Sequence, residues 1–133
     1  MLSEIHKECD GGRGIGYKIL RMENGKLITP FMGTFVTMNE WLTAHIEITR
    51  SFQKPSIEYP TGWHLFQNYE AALFFVKEMF APHQIFKAEF DELTYEGSEN
   101  FEYCNNKPTI KLPCFVARKM KIVEQCGFTL EKT

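Results

Sequence analysis

The chain has 133 residues, of which 44% are hydrophobic and 14% aromatic, and its formal net charge at pH 7 is −2. This length fits one domain, and large rings can fill its core, so the fold needs no disulfide or metal to hold it together. The small negative charge excludes a global positive field that would attract nucleic acid or an anionic membrane.

No stretch of the chain approaches the roughly 18 consecutive apolar residues that a membrane span requires. Residues 1–9 are too polar for a secretion signal. We therefore expect a cytoplasmic protein that has no membrane partner.

The four cysteines, Cys9, Cys104, Cys114 and Cys126, lack the short spacings of a disulfide framework or a zinc motif. His6 and Cys9 are close enough in sequence to share a metal ion, but the remaining ligands would have to come from distant segments. We expect reduced thiols, no bound metal and no cofactor.

Residues 11–16 are rich in glycine. A phosphate-binding loop needs a strand before its glycines and a helix after them, whereas a predicted strand follows these glycines. We therefore expect residues 1–15 to form a flexible leader and residues 16–131 to form a single globular domain.

Asn24 and Gly25 separate two apolar runs, residues 17–22 and 26–31. Asn-Gly is the strongest short hairpin signal because both central residues of a type I′ turn need positive φ. The sequence predicts a β-hairpin here, and Pro30 places the end of its second strand at an edge.

The next thirty residues, 32–61, carry mixed signals. Residues 34–37 favour a strand, residues 39–42 fit a single helical turn, and residues 42–49 alternate as a half-buried strand does, with His45 on the polar face. Residues 50–61 have the turn chemistry of an exposed loop.

A helix is predicted over about residues 69–80, after a short strand that ends at Phe66. Asn68 is a good N-cap, Glu70 suits the first turn, and Pro82 ends the segment. Apolar residues cover almost every face of this helix, which indicates that other elements bury it.

Two further strands are predicted, over residues 84–91 and 115–123, with turns or loops around residues 97–100 and 105–108. Arg118 interrupts the apolar face of the last strand and lies at a sheet edge, reaches solvent, or points into a pocket. The expected fold class is α+β, with an antiparallel sheet of about five to seven strands packed on one principal helix.

His64 shares a strand face with Phe66, and three interpretations of it stay open. It is a buried or half-buried histidine bonded to a backbone carbonyl, a residue that contacts a ligand or acts as a general base, or a metal ligand. Glu89 and Asp91 form either a shared acid–base pair or the solvated face of a strand. An aromatic contact surface has four candidates, at least two of which we expect in the core: Trp41, Trp63, Tyr59 and Tyr69.

The segments 17–20, 62–66, 86–90 and 116–123 follow an order that resembles a family of small uncharacterised domains of bacteriophages and bacteria. In those domains a Tyr-Lys strand comes first, Gly-x-His-x-Phe leads into a helix, and an acidic strand and a Lys-Ile strand follow. The resemblance implies a phage or bacterial source and permits a role in blocking a host defence, but it transfers no activity.

A more remote likeness is to the ADP-ribosyltransferase-like folds, some of which run a Gly-x-His strand into a helix. Such enzymes hold NAD with a polar residue on the first strand and often orient the ribose with a late Glu. The likeness implies these roles for Tyr17 and Glu124, although the Arg-Gly or His-Gly that would follow Tyr17 is missing. Tyr17, His64 and Arg118 are therefore our candidate ligand-binding residues.

No nucleophile motif is present in the sequence. We therefore expect a non-enzymatic module that binds a host protein, a viral protein or a small ligand, and an ADP-ribosyltransferase-like or nucleotide-binding domain is the alternative. A homodimer through an exposed patch is compatible with the Phe-rich composition. Binding of nucleic acid would require one basic face made by Lys18, Arg21, Lys119 and Lys121.

Overall fold

The computed structural model describes residues 2–30, 33–45, 48–50, 57–79, 82–101 and 109–126. These residues contain ten strands and one helix: β1 (Glu4–Glu8), β2 (Gly14–Glu23), β3 (Lys26–Ile28), β4 (Phe35–Val36), β5 (Leu42–Thr43), β6 (Ile48–Arg50), β7 (Glu58–Pro60), β8 (Trp63–Phe66), α1 (Tyr69–Lys77), β9 (Gln84–Phe101) and β10 (Ile110–Cys126).

Eight of the described strands form one sheet, in the order β1-β9-β10-β8-β2-β3-β4, with β5 also paired to β10. β6 and β7 form a separate two-stranded sheet, and all the strand pairs are antiparallel. The prediction of an antiparallel sheet accompanied by one helix is confirmed, although the sheet has eight strands where we expected five to seven.

The sheet curls until it closes on itself. β2 pairs with β9 through residues 14–20 and touches β8 at Tyr17 and Phe66, while β8 pairs with β10, which pairs with β9. The apolar side chains therefore form two clusters. One contains the buried residues of α1, and the other contains Leu20, Phe86 and Met120.

The hairpin and the start of the helix follow the sequence closely. Asn24 and Gly25 have φ values of 50° and 77°, as the predicted turn requires. The Asn68 side chain accepts a hydrogen bond from the Ala71 N–H at 2.8 Å, which makes it the N-cap of α1. The helix ends at Lys77, earlier than the predicted residue 80, which lies outside the described residues.

The expectation of a flexible leader needs correction. Glu4–Glu8 form β1 on the edge of β9, and β2 already begins at Gly14. The Ser3 N–H donates to the Ser98 carbonyl at 2.7 Å, and the Glu4 carboxylate accepts from the Asn100 amide at 2.7 Å. The strand is fixed by partners almost a hundred residues away, which local sequence patterns do not reveal.

The turn expected at residues 97–100 is also wrong, because β9 continues through it. Gly97 pairs with Ile5 on one side and Cys114 on the other. A Cβ on Gly97 would collide with the Glu4 carbonyl oxygen, so this glycine permits the close approach of two strands rather than a turn.

The strand predicted over residues 42–49 is divided. Leu42–Thr43 form β5 beside β10, and Ile48–Arg50 form β6 in the small sheet. His45 is exposed. Residues 58–60, predicted to lie in an exposed loop, form β7 and bury Tyr59, whereas residues 51–56 lie outside the described part of the chain.

Candidate functional site

The three candidate ligand-binding residues lie on three different strands. Tyr17 is on β2, His64 is on β8 and Arg118 is on β10. The centre of the Tyr17 ring lies 6.1 Å from that of Tyr69, in an edge-on arrangement. Within the described residues, no hydrogen bond, ion pair or ring contact joins any two of these three side chains. The structure therefore does not assemble them into one ligand site.

Both ring nitrogens of His64 are engaged inside the protein. Nδ1 lies 3.1 Å from the Gly62 carbonyl oxygen and Nε2 lies 2.7 Å from the Tyr59 hydroxyl. Because a carbonyl oxygen only accepts, Nδ1 carries the proton, and Nε2 accepts from Tyr59. The Tyr59 hydroxyl in turn accepts from the Leu2 N–H at 2.7 Å. His64 is half-buried, and these contacts match the interpretation of a buried or half-buried histidine bonded to a backbone carbonyl.

The surroundings of His64 keep its ring neutral. Burial lowers the pKa of His64 well below its ordinary 6.5, and the nearby Lys18 ammonium adds to this effect. Lys18 Nζ donates to the His64 carbonyl oxygen at 2.8 Å, and burial lowers the pKa of Lys18 to about 8. A neutral ring that is bonded at both nitrogens is poorly suited to exchange protons with a substrate.

The buried thiol beside this cluster is not an activated nucleophile. Burial raises the pKa of Cys114, and the nearby Glu99 carboxylate raises it further. Burial also raises the pKa values of Cys9 and Cys126. Since the thiolate is the reactive form, these three cysteines have no activation for nucleophilic catalysis.

Arg118 is half-buried, and its backbone carbonyl accepts from the Ala44 N–H at 2.9 Å. Its Nε has no hydrogen-bond partner among the described residues. Of the three interpretations of Arg118, the position at a sheet edge is wrong, because β10 pairs with β9 on one side and with β8 and β5 on the other.

The basic residues that a nucleic-acid site would need are not free on one face. Lys18 is half-buried and bonded to a backbone carbonyl. Each of the other three forms an ion pair with an acid: Arg21 with Glu23 at 2.7 Å, Lys119 with Glu92 at 2.9 Å, and Lys121 with Glu89 at 3.7 Å. The positive charge needed to attract phosphates is therefore largely neutralised.

Of the four aromatic residues considered for a contact surface, Trp41 is the exposed one. Tyr59 is buried, and Trp63 is half-buried with its indole N–H bonded to the Leu42 carbonyl at 3.0 Å. Tyr69 is half-buried against Tyr17. The side chain of Trp41 keeps 38% of its surface exposed.

Two cations lie close to the Trp41 ring. The Arg13 guanidinium lies 5.7 Å from the ring centre and the Lys121 ammonium lies 5.2 Å from it, both within the range of cation–π attraction. Arg13 lies just before β2 and Lys121 is on β10, on opposite sides of β9. Trp41 itself directly precedes β5, which pairs with β10 at Leu42 and Met120.

The neighbours of Trp41 follow from the strand register. Ile15 on β2 faces Glu89 on β9, which in turn faces Lys121 on β10, and facing residues share one side of a sheet. Arg13 and Asp91 form an ion pair at 3.3 Å. The six side chains make up what we call the Trp41 surface: Arg13, Ile15, Trp41, Glu89, Asp91 and Lys121.

Arg13 and Ile15 are the members of this surface that the sequence analysis missed, because they lie among the glycines of the supposed leader. A Cβ on Gly14 would meet the Phe90 ring at 2.6 Å, and one on Gly16 would meet Leu65 at 2.9 Å. Both glycines therefore face the interior, and alternation turns Ile15 outward, where 48% of it is exposed. A large apolar residue between two glycines was the available signal.

Glu89 and Asp91, considered as an acid–base pair, belong to the same surface. Each is paired with a cation, Glu89 with Lys121 and Asp91 with Arg13. These ion pairs support the interpretation of a solvated strand face.

Comparison with known proteins finds no matching protein family, no similar curated protein and no similar solved structure. In the described parts of the chain, no helix has the length and apolar character that a membrane crossing needs. Function is therefore inferred from the side chains themselves.

Proposed function

We propose that this chain is a non-enzymatic binding module whose partner is a protein, and that it contacts this partner through the Trp41 surface. The observation that carries the proposal is the exposed Trp41 ring, which lies within cation–π distance of Arg13 and Lys121. Trp, Arg and large apolar side chains are enriched where proteins bind one another, and Trp and Arg often dominate the binding energy.

The charges of the Trp41 surface indicate what kind of partner it fits. Its two cations, Arg13 and Lys121, are matched by two anions, Asp91 and Glu89. A polyphosphate would leave those anions facing phosphates, which disfavours nucleic acid. A protein face with an apolar centre and mixed charges at its rim is compatible with all six side chains.

The enzymatic alternative has less support. An ADP-ribosyltransferase-like site would place Tyr17 and His64 around a common cleft, yet Tyr17 contacts Tyr69 and the His64 ring is bonded to Tyr59 and Gly62. The resemblance to phage and bacterial domains makes a host or viral protein one class of partner to test.

Photocrosslinking in cells tests the proposal and captures the partner in the same experiment. Ile15 lies within the Trp41 surface, and Met22 lies on the same strand outside it with similar exposure, 48% against 54%. A photoreactive residue such as p-benzoylphenylalanine replaces one or the other, and the protein is irradiated in the cells that produce it.

We expect a discrete protein adduct from position 15 and not from position 22, and we expect the adduct to disappear when Trp41→Ser is added. Binding of the identified protein, measured with purified components, should weaken about tenfold or more in Trp41→Ser. The proposal would be overturned if no adduct depended on Trp41, or if NAD or another nucleotide were converted by wild type and not by His64→Gln.

A further inference from the structure

We infer that the protein partner of the Trp41 surface is a second copy of this chain, an inference that rests on the proposed function. In a symmetric dimer the same patch is used by both subunits, and residues near the two-fold axis meet their own counterparts. The Trp41 ring lies within cation–π distance of both Arg13, just before β2, and Lys121, on β10, and these two segments lie on opposite sides of β9. Two such rings can stack across a two-fold axis.

Charge supports this choice of partner. A surface that binds a copy of itself must contain both positive and negative charges. The Trp41 surface has two positive side chains, Arg13 and Lys121, and two negative ones, Asp91 and Glu89. These pairs can persist within one subunit or exchange between subunits without leaving a charge unmatched. The formal net charge of −2 is also too small to hold two copies apart.

The apolar side chains extend the contact beyond a single pair of rings. Ile15 stands on the β2 side of the surface and is 48% exposed. Consider a two-fold axis that lies above β9 and runs parallel to its strand direction. This axis would place the β2 side of one subunit over the β10 side of the other. Ile15 would then cover the side of the partner's surface from which Lys121 reaches Trp41.

Sedimentation velocity over a hundredfold range of protein concentration tests the inference. Wild type should shift from monomer to dimer, and Trp41→Ser should raise the dissociation constant about tenfold or more. Phe35→Ser is the matched control, because Phe35 is an exposed aromatic residue, 62% exposed, that lies on β4 outside the Trp41 surface. It should dimerise as wild type does.

Ile15→Asp is a second variant, at an exposed site, in case Trp41→Ser fails to fold; it should also weaken the dimer. A wild type that stays monomeric across the range would overturn the inference, and so would a dimer that neither variant weakens. A monomeric wild type that still forms a Trp41-dependent adduct with another protein would sink the dimer and leave the proposed function standing. An adduct between two copies would support both.

Discussion

The Tyr59 hydroxyl and His64 Nε2 lie 2.7 Å apart and join the start of the chain to β8. Leu2 donates its N–H to the same hydroxyl, also at 2.7 Å, and Gly62 accepts from the other ring nitrogen of His64. Each donor in this series has an acceptor. His64, whose side chain is often catalytic in other proteins, here links two segments of the fold through hydrogen bonds.

Tyr59→Phe is expected to lower the free energy of unfolding by about 1–3 kcal/mol, because the Leu2 N–H and His64 Nε2 each lose their partner. Chemical denaturation measures this change. Tyr17→Phe is the matched control, since its ring contact with Tyr69 survives the substitution, and it should change stability by less than about 0.5 kcal/mol. Equal losses in the two variants would contradict the hydrogen-bond series.

The ring of His64 should not titrate near pH 6.5, and it should keep its proton on Nδ1. The pKa of His64 is below 6.5 in the folded protein, so the unfolded chain takes up a proton first as the pH falls. The associated stability is complete above pH 6.5 and is lost progressively below it. NMR of the ring nitrogens measures the protonation, and a His64 ring that titrates near 6.5 would contradict its burial.

The contribution of Lys18 to stability should rise with pH between about 8 and 10.5, whereas the thiols, whose pKa values burial raises, contribute in the opposite direction in all the variants compared. In this window Lys18 is protonated in the unfolded chain and neutral in the folded one, because burial lowers its pKa from 10.5 to about 8. Denaturation of Lys18→Met should lack this rise, whereas Lys26→Met, at an exposed position, should retain it. The prediction fails if both variants respond to pH as wild type does.

Gly97→Ala should detach β1 from β9. The added methyl group would collide with the Glu4 carbonyl oxygen. We expect this overpacking to lower the free energy of unfolding by about 1–3 kcal/mol. Hydrogen exchange should show faster exchange of the Ser3 and Cys9 amides, which donate to β9, with little change in the pairing of β8 with β10. Unchanged protection of the Ser3 amide would show that the strand accommodates the methyl group.

The parts of the fold that depend on neighbouring residues could be predicted from the sequence. The hairpin turn needs positive φ at two adjacent positions, and Asn24-Gly25 supplies both. The start of the helix needs an acceptor for its free N–H groups, and Asn68 supplies one.

The parts that depend on distant partners could not be predicted. β1 exists because of its pairing with β9, and Gly97 resembles a turn glycine although it serves strand contact. Trp41 was among the aromatic candidates, but its exposure depends on the pairing of β5 with the distant β10. The hydrogen bond between Tyr59 and His64 connects β7 to β8. The sequence predicted a loop where β7 lies, so this contact was not expected.

The most direct measurement of the proposed binding is the ¹⁹F NMR spectrum of the protein labelled with 5-fluorotryptophan. The chain has two tryptophans, and the indole of Trp63 is bonded to the Leu42 carbonyl, so it serves as the internal reference. The spectrum is recorded after addition of the purified protein that photocrosslinking identifies as the partner. If that partner is a second copy of this chain, the spectrum is recorded at rising protein concentration instead. We predict that the Trp41 resonance shifts or broadens while the Trp63 resonance stays in place. A Trp41 resonance that ignores both the partner and the concentration would contradict the assignment of the Trp41 surface as the binding site.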